Sequence, residues 1–402
     1  MRRAATVREH APSLADLDEL WSRHHAEWRD GAQVVSLWRE AADTDAELLR
    51  ARTRGPWWEL LERAAITLLV TREYEHLVMA LAAHDGRPHV TFLRLPHPSG
   101  LVADRKRGVV HVASTRNPNQ LLTLAPAAGA LARGDAPAPA AIGDHPLLPA
   151  HARFYPGSLY LHDLALVGGE LHGNAVGQNA IVRFGADGAC EPVWWPRSIE
   201  RNGAPDHSRN YLQLNSIAAG PDLAGSFFSA SSATPSARRP GHRNYPVDRR
   251  GVVFSGATRE PVAGGLTRPH SARLRRDQIW VDNSGYGEVG ICRDGVLEVV
   301  ARPGGWTRGL GFAGGVAFVG TSRVLTRFKQ YAPGLDPDRC VCGVHAIEIR
   351  TGKVLGSLIW PNGNQVFAIE PVPAAWSAGL PAVAGRRRPE WERGLFYGFV
   401  TE

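Results

Sequence analysis

The sequence predicts an all-β protein, a six-bladed β-propeller. Three observations carry that expectation. From about residue 66 the chain breaks into short apolar runs such as ITLLVT, HLVMALA and HVTFLRL. Its 43 glycines and 29 prolines suit many strands joined by turns. One pattern also recurs six times: a polar start, a small or apolar pair, then an apolar strand.

The six starts are Ser99 in SGLVAD, His162 in HDLALVGG, Asn215 in NSIAAG, His270 in HSARLRRD, Arg308 in RGLGFAGG and Gln365 in QVFAIE. They are separated by 63, 53, 55, 38 and 57 residues, blade-sized intervals with insertions. After the first five, a turn and a second strand follow: VVHVAS, ELHGNA, SFFSAS, QIWVDNS and VAFVGTS. The sixth start has too little chain behind it for a blade, so residues 66–94 are expected to complete that sheet and remove its open edge.

The remaining segments follow in order. Residues 14–64 read as helical, with Leu17, Leu20, Trp21 and Trp28 at three- and four-residue steps and WWELLERAAI after Gly55-Pro56. This divides the chain into an N-terminal helical extension, 1–64, and a propeller, 65–402. Two stretches rich in proline, alanine or serine, 125–150 and 232–250, read as long loops or insertions. The tryptophan pairs at 57–58 and 194–195 read as core or blade-edge packing.

Composition narrows the function. The net charge is +7, yet Lys106, Lys329 and Lys353 are the only lysines; the arginines are scattered among acids rather than gathered into a nucleic-acid-binding patch. No run of about 18 apolar residues suggests a membrane span. The N-terminus shows no apolar signal core, and four scattered cysteines do not form a disulfide framework. A cytoplasmic protein with reduced thiols is expected. Cys340-x-Cys342 with His345 reads as a strand entering the core, and His24 and His25, diverging on a helix, read as surface residues.

In a propeller the first strand of each blade lines the central channel, so the six starts are expected to form one polar ring at its mouth. His162 and His270 suit metal ligation or acid–base work, or cap their strands. Arg308 suits an anionic substrate group, or an ion pair with Asp163. Asp163 and Asp282 can orient a histidine or hold a cation, and Asp282 also suits a turn. Ser284 lacks a Gly-x-Ser-x-Gly setting, which argues against a serine hydrolase.

The stretches LHDLALVGGELHGNA, YLQLNSIAAG, GLTRPHSARLRRDQIWVDNSGYGEVG and GWTRGLGFAGGVAFVGTSR resemble an uncharacterised bacterial family of propeller-type proteins. The resemblance runs from about residue 60 to 373. It implies the fold and a set of recurring polar positions: His162, Asp163, Asn215, His270, Ser271, Arg273, Asp282, Ser284, Gly285 and Arg308. Gln213 stands where the family often has histidine, which weakens a three-histidine metal set.

The expected function is an enzyme, a hydrolase, lyase or oxidoreductase, acting on a small molecule or peptide at the channel mouth, in a biosynthetic setting. His162, His270, Arg308 and Asp163 are the catalytic candidates. A divalent metal ion on His162 and His270 is the cofactor candidate. Ser99, Gln213, Asn215, Arg273, Asp282 and Gln365 are the substrate-binding candidates. The alternative is a non-catalytic propeller that binds a protein partner. Nucleic acid and membrane are not expected partners.

Overall fold

A computed structural model describes residues 44–384, apart from 116–118, 131–145 and positions 156, 239, 241, 243 and 378, together with 399–401 and Ala15, Asp18 and Glu19. Most of the predicted helical stretch before residue 44, His24 and His25 included, lies outside the described residues.

Six antiparallel sheets make a six-bladed propeller. The inner strands of blades 1 to 5 are Pro98–Asp104, Leu161–Val167, Leu214–Ala218, Pro269–Arg275 and Trp306–Ala313. Blade 6 joins distant parts of the chain: its inner strand Ala368–Pro373 pairs with Ile66–Arg72, followed outward by Leu77–His84 and Arg87–Arg94. The register is set by Ile66 opposite Pro373 and Thr71 opposite Ala368. This is the closure expected from the repeat. The two strand faces pack on neighbouring blades, so Leu68, Val70, Leu69, Val78 and Ala80 are all buried. Inner strands meet tightly: a Cβ on Gly100 would lie 2.6 Å from the Leu164 backbone nitrogen of the next blade.

Two expectations change. The stretch from 125 was read as a loop, but the strand Asn119–Ala130 runs into it and pairs with Leu147–Tyr155. The buried Leu121, Leu122 and Leu124 outweigh the alanine and proline that follow. Part of the stretch 14–64, read as helical, is also a strand. Arg52–Arg54 adds a fifth strand to blade 5 beside Val354–Ile359. The short helix Trp57–Arg63 and Leu48 then cover the outside of blades 5 and 6, with Leu48, Trp57 and Leu61 fully buried.

Among its described residues, the stretch 232–250 carries no helix or strand. It nevertheless buries Tyr245 and Val247 in a cluster with Trp306, Val324 and Tyr331, beside the channel mouth. Cys340 and Cys342 are buried free thiols, and His345 is bonded to Thr321 and Ser357, so this trio is core packing. Trp57 and Trp194 are buried, while Trp58 is partly buried against the core and Trp195 packs on Arg259.

Candidate functional site

A repeated hydrogen bond marks equivalent positions on the inner strands. Side chains of one blade donate to a backbone carbonyl of the next: Ser99 to Leu161 (2.8 Å), Asn174 to Leu214 (2.7 Å), Asn215 to Pro269 (2.8 Å), Ser284 to Thr307 (2.6 Å) and Ser322 to Val366 (3.1 Å). The residues that follow these carbonyls are His162, Asn215, His270, Arg308 and Phe367. Ser99 belongs with them, because it makes the same bond as Asn215. The ring therefore has Phe367 in its sixth place. Gln365 sits two residues earlier, in the bend before the strand, because blade 6 fills this polar position with an aromatic ring.

The mouth of the channel opens into a cavity of about 510 Å³. Of the sequence-predicted residues, His162, Gln213, Arg308 and Gln365 line it. Glu73, Tyr74, Tyr160, Arg268, Arg323 and Tyr331 join them. Ser99, Asp163, Asn215, His270, Arg273 and Asp282 lie behind this lining.

Arg308 is the central cation. Its guanidinium stacks on Phe367, 3.4 Å from the ring centroid. With the Gln365 amide oxygen turned toward it, Nη1 donates to that oxygen at 2.7 Å, and the amide nitrogen donates to Glu73 at 2.8 Å. Its Nε and Nη2 are buried and have no hydrogen-bond partner among the described residues. Burial pulls Arg308 down to about 10, against the Glu73 carboxylate, which leaves it charged at neutral pH.

Arg268 enters from the segment between blades 3 and 4, with a left-handed backbone (φ 54°). It stacks on Tyr331 at 4.7 Å and donates through Nη1 to Gln213 and to Ser231. Its Nε is likewise buried without a partner among the described residues. Gln213 is thus the acceptor that holds Arg268, a different task from that of the histidine its sequence position suggested.

His270 is 2% exposed and stacks on His162, which faces the cavity. The Ser284 hydroxyl gives its proton to Thr307, so it accepts from Nδ1 of His270 (3.2 Å), and Nδ1 also donates to the Arg268 carbonyl (2.9 Å). The proton is therefore on Nδ1, and Nε2 is a bare lone pair with no partner among the described residues. Burial, then Arg308, Arg268 and His162, hold His270 well below the usual histidine range, as a neutral base.

The remaining candidates lie behind the cavity lining, and most are held by hydrogen bonds between blades. Asp163 accepts from both ends of the Arg273 guanidinium (2.7 and 3.1 Å) and from the backbone nitrogens of Ile217 and Leu164. Four donors occupy this carboxylate, and they tie blades 2, 3 and 4 together. They also remove the expected Arg308–Asp163 pair, and commit Arg273 to the wall rather than to substrate. Asp282 is fully buried, and burial raises it well above the usual carboxylate range. Ser99 and Asn215 hold the carbonyls of their neighbours.

A metal does not fit this set. Among the described residues no three His, Cys, Asp or Glu side chains come together. His270 also has the guanidinium groups of Arg268 and Arg308 as neighbours, so a cation there meets like charge.

Glu73, Arg268 and Arg323 escaped the sequence reading. Glu73 follows the strand that closes blade 6, where no repeat position marked it. Arg268 stands two residues before His270 in the segment TRPHSAR, and that proximity was the one available signal.

Residues 55–379 match the model of a family described as a domain of unknown function, DUF4915. No curated protein matches the chain in sequence. Among solved structures, a chain of a nidogen/laminin complex superposes with a TM-score of 0.50 at 11% identity, covering 77% of this chain and 99% of that one. A gluconolactonase from Xanthomonas campestris gives 0.44 at 14% identity, covering 74% and 86%. A streptogramin B lyase gives 0.37 at 12%, covering 73% and 75%. At these identities the likeness concerns the fold alone.

Proposed function

The chain belongs to the DUF4915 family, and for this member we propose an enzyme that binds a small anionic molecule, or the carboxylate of a peptide, at the channel mouth and moves a proton on it. The observation that carries this reading is the bare Nε and Nη2 edge of Arg308, buried in the lining of the cavity. That edge presents two parallel N–H groups with the spacing of a carboxylate's oxygens. A buried donor without an acceptor costs about 1–3 kcal/mol, more when charged, which an incoming carboxylate relieves.

The chemistry follows from the neighbours. Nε2 of His270 is an unprotonated base in a dry setting, and His162 lies between it and the cavity. A proton leaving the bound molecule passes to the imidazole pair, while Arg308 holds the negative charge that develops. Polar side chains such as Tyr160 and Glu73 orient the remainder of the ligand.

The test is a thermal-shift screen of carboxylic acids and short peptides, followed by turnover assays on the hits. A carboxylate should raise the melting temperature of the wild type and not that of Arg308→Gln. His162→Ala and His270→Ala should bind the hit without turning it over. If no small anion binds, and a co-purified protein is lost on substitution of rim residues, the chain is a scaffold and the enzyme reading falls.

A further inference from the structure

From the cavity's arginines, and resting on the anionic-ligand reading above, we infer that the ligand carries two negative charges, shared among Arg268, Arg308 and Arg323. Three independent parts of the fold bring these residues to one cavity: the segment ahead of blade 4, the inner strand of blade 5, and the residue after its second strand. Each holds at least one buried nitrogen without a partner among the described residues: Nε of Arg268, Nε and Nη2 of Arg308, and Nη1 of Arg323. Arg268 and Arg308 are each 7% exposed, so water does not take the place of a ligand acceptor at low cost.

The other contacts of Arg268 and Arg308 hold their guanidinium groups in place and leave these nitrogens over. Arg308 lies on Phe367 and Arg268 on Tyr331. The Arg323 backbone is pinned to the Asn364 carbonyl at 2.9 Å. Stacking orients the Arg268 and Arg308 planes without consuming an N–H.

The charges among the lining residues do not balance. Arg209 has Asp206 at 3.8 Å. Against the other three arginines stands Glu73, itself bonded to Thr115 at 2.6 Å. Among the remaining arginines and carboxylates of the lining, three positive charges less one negative leave two. A monoanion on Arg308 would leave a second cation buried and unpaired. A dianion, either two carboxylates or one phosphate, neutralises the site and supplies enough acceptor oxygens for all four nitrogens.

Calorimetry with two matched pairs tests this: glutarate against butyrate, and glycerol phosphate against glycerol. At least one dianion should bind about tenfold or more tighter than its partner. Which of the two pairs shows the gain distinguishes dicarboxylate from phosphate. Arg268→Gln and Arg323→Gln should each lose about tenfold of the dianion affinity and little of the monoanion's. Arg323→Lys should recover part of the loss, and melting without ligand verifies that each variant is folded. If butyrate and glutarate bind alike and both require Arg308, the single-anion reading stands and the dianion is wrong. Dianion binding unchanged in Arg268→Gln and Arg323→Gln overturns the shared site. If none of the four molecules binds, both readings fall.

Discussion

His162 and His270 lie nearly parallel across the channel, ring centroids 6.3 Å apart and planes 21° apart. They come from blades 2 and 4, and a proton on one disfavours a proton on the other. His270→Ala should therefore cut turnover by about 100-fold or more while calorimetric affinity for the anion changes little. Because His270 stays neutral well below its ordinary range, deprotonation of this base should place no limb in the pH–rate profile above about pH 6.5. An equal loss of affinity and turnover in the variant would make His270 a structural residue.

Asp163 and Arg273 give the opposite expectation. Their bidentate pair is mostly buried, with side-chain exposures of 5% and 19%. Asp163→Asn leaves Arg273 uncompensated and should cost about 3–5 kcal/mol of stability in denaturant titration. The double variant Asp163→Asn with Arg273→Met should recover much of that cost. Ligand affinity should be unaffected in the folded fraction, and a specific loss of turnover would return Asp163 to the catalytic set.

Glu370 supplies a pH test. Burial raises it from 4.5 to about 7, against the pull of Arg273. Its folded-state pKa lies above the unfolded one, so its stabilising contribution is complete below 4.5 and is lost as pH rises through 7. Glu370→Gln should melt higher than wild type at pH 8 and level with it at pH 4. His345 runs the other way: burial lowers it to about 4, so its contribution is present above 6.5 and is lost as pH falls through 4. His345→Gln should flatten the acid side of the melting curve.

The segment before residue 65 should prove indispensable. Trp57 is completely buried and meets Phe318 edge-on at 6.1 Å. Trp57→Ala should cost about 3–5 kcal/mol. A chain starting at residue 65 loses that packing and the fifth strand of blade 5, and should melt far lower or aggregate. Wild-type melting from the shortened chain would show the segment before residue 65 to be dispensable.

The repeat made the propeller legible because the same polar-small-apolar run opens the inner strand of five of the six blades. In the sixth it does not, since Phe367 breaks the polar rule and Gln365 imitates it. Short-range pattern also could not reveal what each polar residue does. Asp163 looked like a partner for a histidine, and its actual partner, Arg273, lies 110 residues away on blade 4. Arg323 and Glu73 come from the ends of second strands rather than their starts, so the repeat passed over them. Their roles depend on which blades become neighbours, which periodicity along one strand does not encode.

The closing blade sets when this site comes into being. Thr71 and Ala368, joined at 2.9 Å, are 297 residues apart. Glu73 leaves the ribosome early, whereas Gln365 and Phe367 emerge only after every other wall of the pocket. Until they do, Arg308 has neither its stacking ring nor its amide. The chain thus completes this candidate site in the same step that seals the ring, and a product ending before residue 365 would lack the walls that Gln365 and Phe367 supply.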